Sequence, residues 1–99
     1  VSEQLLEIMS ILHMKYIPFQ SYTDILAFKA ATHALAYDDF YTLSILNRMV
    51  AEPEPQKDQT SFYLKAAQMM LYLRQENYLA AKLCLEQGIY ILRIFHLKF

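Results

Sequence analysis

The sequence contains very few residues that interrupt a helix. It has one glycine and three prolines among 99 residues, whereas the strong helix formers Ala, Leu and Met are frequent. A fold of short strands joined by tight turns needs more turn residues than this. We therefore predict an all-α fold, in which the few interruptions mark the ends of helices.

The first interruptions delimit a short N-terminal helix and the start of a second one. Pro18 ends the first helix at about Tyr16, because the residue before a proline avoids helical backbone angles. The segment Ser21-Tyr22-Thr23-Asp24 resembles a capping box, with Asp in place of the usual Glu, and predicts a helix start. Small residues then recur at spacings of three and four, which permits another helix to approach closely. They are Ala27, Ala30, Ala31 and Ala34.

Three further interruptions separate the remaining helices. Asp38-Asp39 makes a turn that starts a third helix, and two prolines two residues apart make 52–58 a linker. Asp58 or Thr60 is expected to cap the fourth helix, and Glu76-Asn77 ends it. The prediction is about five antiparallel helices in one domain, residues 1–99, divided into an N-terminal helix (1–17), a first hairpin (21–55) and a second hairpin with an extended apolar last helix (58–99).

The apolar content is high for a chain of this length. Stretch 89–99 is apolar on nearly every side, so we expect this part of the last helix to be buried all round. Hydrophobic residues make up 56% of the whole chain, more than a small monomer easily buries. We therefore expect a partner chain to cover part of this surface in a hetero-oligomer.

Charge and cysteine content argue against several classes of function. The net charge of −1 does not form the electrostatic footprint that nucleic acids bind. The sequence has no apolar run of about 18 residues, so we expect no membrane insertion. The amino terminus lacks the basic and apolar regions of a secretory signal. The lone Cys84 excludes an internal disulfide and suits a reducing compartment, which predicts a cytoplasmic location.

The sequence contains no motif that predicts catalysis. His13, His33 and His96 fall on three separate predicted helices, so none has a second ligand at metal-binding spacing. We interpret Cys84 as a buried, inert thiol and Asp38-Asp39 as a helix start. The sequence therefore predicts that the protein is not an enzyme, with no cofactor, no metal and no small-molecule substrate.

Two segments of the chain repeat at a spacing in the mid-thirties. Phe28-Lys29-Ala30-Ala31 has a counterpart in Leu64-Lys65-Ala66-Ala67, 36 residues later, and the helix that begins at Phe40 has one at Tyr78, 38 residues later. Such a period, with two helices in each unit, is typical of a helical-repeat array. An unrelated five-helix bundle would use the same antiparallel hairpins, so the sequence does not exclude this alternative.

The repeated unit resembles the tetratricopeptide repeat over about Ser21–Arg93. The residues that carry the resemblance are Tyr72, Tyr78, Ala81, Leu85 and Gly88 in the second unit, and Ala31, Phe40 and Pro55 in the first. The chain departs from the family pattern at Lys65 and Gln68, which replace core residues, at Leu43, which replaces a small residue, and in the missing terminal proline of the second unit.

The resemblance implies a concave groove lined by the first helix of each hairpin. The residues placed in this groove are Ile25, Phe28, Thr32 and Leu35 in the first unit and Tyr63, Ala66, Met70 and Leu73 in the second. The 36-residue spacing would shift the second set by two positions. All eight residues can equally be ordinary core. A groove this apolar suits an amphipathic helix rather than a charged peptide terminus.

The resemblance further implies a function in protein binding. In size and architecture the chain is similar to the small tetratricopeptide chaperones of bacterial type III secretion, which hold a secreted subunit in the cytoplasm. We therefore expect a non-catalytic chaperone or adaptor for an amphipathic helical partner. The alternatives are a segment or subunit of a larger helical-repeat scaffold or permanent complex, and an all-helical enzyme or ligand carrier that uses the His and Tyr residues.

Overall fold

The computed structural model describes residues 2–12, 19, 21–50 and 58–94. Within these ranges the chain forms five α-helices and no strand, which confirms the all-α prediction. The helices are α1 (Ser2–Leu12), α2 (Tyr22–Leu35), α3 (Asp39–Val50), α4 (Asp58–Arg74) and α5 (Tyr78–Ile94). The predicted end of the first helix near residue 16, the linker as far as residue 57 and the tail beyond residue 94 lie outside the described residues.

Helix α2 begins and packs as its sequence predicts. Ser21 has an extended backbone, with φ −157°, and its hydroxyl accepts a hydrogen bond from the Asp24 amide at 3.3 Å. This bond satisfies one of the free amides of the first turn. The four alanines are buried, and the Thr42 hydroxyl of α3 donates to the Ala30 carbonyl of α2 at 3.4 Å. The small side chains therefore allow α3 to approach the α2 backbone closely.

The two hairpins turn by the same backbone geometry. Tyr37 and Glu76 both have a left-handed backbone conformation, with φ 64° and 59°. In each turn the following residue, Asp38 or Asn77, donates its amide to the carbonyl five positions earlier, at 2.8 Å and 3.0 Å. This is the hydrogen bond that closes a helix with a left-handed cap. Neither cap is a glycine, so each turn adopts a backbone conformation that side chains disfavour.

The residue after each left-handed cap also starts the next helix. The Asp38 carboxylate accepts from the Tyr41 amide at 3.2 Å, and the Asn77 side-chain carbonyl accepts from the Ala80 amide at 3.3 Å. One residue thus ends one helix and caps the next. Because Asp38 and Asn77 are 39 positions apart, the counterpart of Phe40 is Leu79. The spacing of 38 that the sequence suggests for the starts of the third and fifth helices is therefore one residue too short.

Replacing Glu76 by glycine is expected to raise the free energy of unfolding by about 0.5–1 kcal/mol, since glycine adopts a positive φ without the steric cost of a Cβ. Urea denaturation followed by circular dichroism measures the change. As a matched control, Gln75→Gly alters the preceding residue of the same exposed turn and should not stabilise the protein. A Glu76→Gly protein no more stable than the parent would contradict the strain that we assign to this turn.

The second hairpin packs on the first mainly through α4 and α2, whereas α3 contributes little to this contact. At this contact Asp24 of α2 and Thr60 of α4 are fully buried, and the Thr60 hydroxyl donates a hydrogen bond to the Asp24 carboxylate. Helix α4 begins at Asp58, so Thr60 lies inside its first turn. The expectation that Thr60 caps α4 is therefore wrong, because its hydroxyl bonds to α2 instead.

A second polar contact joins the two hairpins at their turns. The Nε atom of Arg74, at the end of α4, donates to both carboxylate oxygens of Asp39 at 2.8 Å and 3.0 Å. Its Nη2 atom is buried and lies 2.5 Å from Oδ1, an ion-pair contact whose angles are not those of a hydrogen bond. The guanidinium also lies 5.0 Å from the Tyr37 ring centroid, a cation–π distance. Arg74 therefore ties the end of α4 to the first turn.

Helix α5 packs one face on the rest of the protein and leaves the other face open. Ala81, Leu85 and Leu92 are buried, whereas Tyr90 and Ile94 are more than half exposed. The expectation that the apolar last helix is buried on all sides is therefore wrong for the part that the structure describes. Helix α5 contacts α4 and, to a smaller extent, α1, so it buries only the side that points toward these two helices.

Candidate binding groove

Helix α1 lies in a trough formed by α2, α4 and α5 of the two hairpins. This trough is the candidate functional site. The apolar side of α1 is buried through Ile8, Ile11 and Leu12, whereas Leu6 on its other side is exposed. The helix contacts both α2 and α5. We call the trough the groove, and the residues that line it beside α1 are Leu35 of α2, Met69, Met70 and Leu73 of α4, and Ala81 and Leu85 of α5.

The N-terminal half of α1 does not fill the groove. A cavity of about 260 Å³ lies between α1, α4 and α5, and its exposed surface is entirely apolar. A second cavity of about 260 Å³ lies between α1, α2 and α4 and reaches Arg74. Leu5 and Leu73 line both cavities. The groove therefore has room for larger apolar side chains than those that α1 supplies.

The groove residues predicted on α2 are all half-buried, but they do not all line the same surface. Phe28 packs its ring 5.3 Å from that of Phe19. Leu35 lines the second cavity together with Met9 of α1. Neither of the two cavities is lined by Ile25 or Thr32. Of the four residues predicted on α2, the structure therefore places Leu35 in the groove.

The groove residues predicted on α4 divide in the same way. Met70 and Leu73 line the groove, and Leu73 is 36% exposed at its edge. Tyr63 and Ala66 are buried in the core. The structure thus brings Leu35, Met70 and Leu73 together.

The surroundings of Tyr63 show why it belongs to the core. Its ring contacts that of Phe28, with centroids 5.2 Å apart and an edge-on arrangement, and that of Phe62 at 5.7 Å. Burial raises the pKa of the Tyr63 phenol to about 12, a hydrogen bond from Gln59 partly opposes this, and the Asp24 carboxylate adds to it. The phenol is therefore neutral at physiological pH.

Sequence reasoning missed the contributions of α1 and α5 to the groove. The available signal was the spacing of Leu5, Ile8 and Leu12, which puts apolar side chains on one side of a short helix that must pack somewhere. A bidentate ion pair also joins α1 to α5, from Arg93 to the Glu7 carboxylate at 2.8 Å and 2.9 Å. Arg93 is exposed and Glu7 is half-buried, so solvent screens this pair and it contributes little stability.

The chemistry of the described residues offers no reacting centre at the groove. Cys84 is buried, and burial raises the pKa of its thiol while nearby Lys65 opposes the change, which keeps the thiol protonated and unreactive. The described ranges contain no group of three or more His, Cys, Asp or Glu side chains arranged to hold a metal ion. Among the helices assigned here, none is both long and apolar enough to cross a bilayer.

Comparison with known proteins does not connect the chain to a family. No family model, no curated protein and no solved structure matches it. The resemblance to tetratricopeptide proteins therefore stays a prediction.

Proposed function

We propose that the chain is a non-catalytic protein-binding module whose groove holds an amphipathic helix of a partner protein. The observation that supports this is the presence of α1 in the groove. A helix with one apolar side already lies there, and its Leu5 and Met9 line the same cavity as Leu35, Met70 and Leu73. Helix-in-groove recognition uses the same contact, in which apolar residues at helical spacing enter a preformed trough.

Helix α1 is a weak occupant of this groove. It leaves two cavities beside Leu5 unfilled, and its one described ion pair is largely exposed to solvent. A longer partner helix with larger apolar side chains would fill the cavities beside Leu5 and replace α1. Chaperone or adaptor activity follows if the partner helix aggregates when its apolar side is uncovered. A type III secretion subunit as the partner, and a cytoplasmic location, remain predictions.

The proposal can be tested by photo-crosslinking in the cells that encode the chain. A benzophenone amino acid replaces Leu73, at the edge of the groove, and in a separate protein Leu43, on the outside of α3. We expect the Leu73 probe to join an amphipathic helical segment of one partner, identified by mass spectrometry, because that segment lies against the groove. The matched Leu43 probe should not capture it, since Leu43 is comparably exposed but lies outside the groove.

The partner segment should then compete with α1. A synthetic peptide of the crosslinked sequence is added to the purified intact chain, and amide hydrogen exchange is measured. The amide of Leu73 should exchange more slowly, and the amides of α1 should exchange faster. Crosslinks from Leu73 to α1 alone, or peptide binding that leaves α1 exchange unchanged, would show that the groove is simply part of the core.

A further inference from the structure

Helix α5 carries an apolar stripe on the side that faces away from the protein. Its four side chains are between 51% and 83% exposed. They are Leu79, Leu83, Tyr90 and Ile94, and we call them the α5 stripe. Their spacings of four, seven and four residues place them on one side of a helix at 100° per residue. The stripe is centred opposite the buried side that contains Ala81, Leu85, Gly88 and Leu92.

The α5 stripe is large enough to be a binding surface. It exposes on the order of 500 Å², within the range in which the largest apolar patch of a monomer is often functional. Two shallow hollows of about 470 Å³ each border it, one toward Asn77 and the other toward Lys65 of α4. Side chains of a helix laid along α5 would fit into these hollows, as ridges fit into grooves in helix packing.

The order of residues along the stripe is symmetric. Its midpoint lies between Glu86 and Gln87, with Leu83 and Tyr90 equally far from it on the two sides. Leu79 and Ile94 are likewise equidistant. In an antiparallel pair of identical helices, residues equidistant from the midpoint face each other, so every apolar residue of the stripe would meet an apolar residue of the second copy.

We propose that the α5 stripe binds the α5 stripe of a second copy of this chain, antiparallel and related by a two-fold axis at the midpoint. Leu79 then packs on Ile94 of the other copy, and Leu83 on Tyr90. The stripe spans about 22 Å of helix, enough for two full layers of contacts on each side of the axis. This proposal does not depend on the function proposed for the groove.

The stacking of the hairpins favours a second copy over a third hairpin. The second hairpin stacks on the first through α4 and α2, and the outer helix α3 takes little part. A third hairpin added in the same way would cover α4. It would leave the outward side of α5, where the stripe lies, exposed.

Charges beside the stripe set the strength of the dimer. Glu86 lies beside the stripe and next to its midpoint, so the two Glu86 side chains come together on one flank of the two-fold pair, where like charges oppose association. Lys82 lies one turn away on the same side and reaches Glu86 of the other copy. The buried area is below the ~800 Å² per partner of a stable complex. We therefore expect a weak dimer, with Kd on the order of 10 μM.

Sedimentation equilibrium of the intact chain and three variants tests the proposal. Leu83→Glu should weaken association at least about tenfold, because the dimer loses the apolar contact between Leu83 and Tyr90 twice, once in each copy. Glu86→Leu should tighten it about tenfold, because removing the repulsion at the axis and adding an apolar contact outweigh the loss of the exposed contact with Lys82. Leu43→Glu makes the same change as the first variant on α3 and should leave association unchanged. Circular dichroism of each variant shows whether the fold is retained.

The antiparallel arrangement has its own test. Under mild oxidation Glu86→Cys should give a disulfide-linked dimer, since the two copies of residue 86 meet at the axis. Leu79→Cys should not, because its two copies lie about 22 Å apart. The proposal is overturned if the protein is monomeric at all concentrations, or if Leu83→Glu does not weaken the dimer. It is also overturned if Leu43→Glu weakens the dimer equally, or if the disulfide forms through residue 79 instead of residue 86. A monomer whose stripe is covered by another protein in cells counts against it in the same way.

Discussion

The Phe28→Asp protein is expected to lose about 3 kcal/mol of its free energy of unfolding, and more if the core cannot close around the change. Phe28 contacts the rings of Phe19 and Tyr63, and the substitution removes both contacts. It also places a carboxylate one turn from the buried Asp24 on the same side of α2, where like charges repel. Urea denaturation followed by circular dichroism measures the loss.

Two comparisons make this result interpretable. Tyr22→Asp makes the same kind of change at an exposed position of the same helix, and its effect should stay within about 0.5 kcal/mol. Leu73→Asp, at the edge of the groove, should keep the fold and weaken partner binding. If Phe28→Asp instead retained full stability and lost only partner binding, Phe28 would belong to the binding surface that the sequence predicts.

A loss of about 2 kcal/mol in the free energy of unfolding is expected for Thr60→Val. The Thr60 hydroxyl donates to the Asp24 carboxylate, and both side chains are fully buried. Valine has the same shape but cannot donate, so the carboxylate loses a hydrogen bond where water cannot replace it. The midpoint of urea denaturation should fall while the slope of the transition stays constant.

A double-mutant cycle separates this bond from packing. Asp24→Asn and Thr60→Val should together cost clearly less than the sum of the two single changes, because both remove the same interaction. Thr32→Val is the matched control, since its hydroxyl bonds only locally to the Lys29 carbonyl at the surface. Additive effects of the two buried substitutions would contradict a direct coupling between α2 and α4 through this pair.

Local interactions made much of the fold predictable. Ser21 caps α2 by accepting a hydrogen bond from the amide three residues later, and Asp38 and Asn77 cap α3 and α5 in the same way. Such bonds join residues that are adjacent in sequence, so residue type and order are enough to predict them. The left-handed backbone at Tyr37 and Glu76 was not predicted, because neither residue is a glycine and the hairpin geometry imposes the conformation.

The groove could be predicted only in part. Leu35, Met70 and Leu73 were assigned to it by the resemblance to a helical repeat, and the structure brings them together. Tyr63 and Ala66 were assigned by the same reasoning but lie in the core, away from the cavities beside α1. Which part of α4 faces α1 depends on how the two hairpins pack, and the sequence echoes do not report that packing.

By itself, the sequence determined the number of helices, their order and the two hairpins, because helix caps, breakers and apolar spacing act over a few residues. Only the tertiary structure decided what covers each apolar side. It placed α1 in the groove, paired Asp24 with Thr60 and left the outer side of α5 open. Burial is a property of packing between distant segments, and an apolar side chain looks the same in the sequence whether it lies in the core, in a groove or on a surface that binds a second chain.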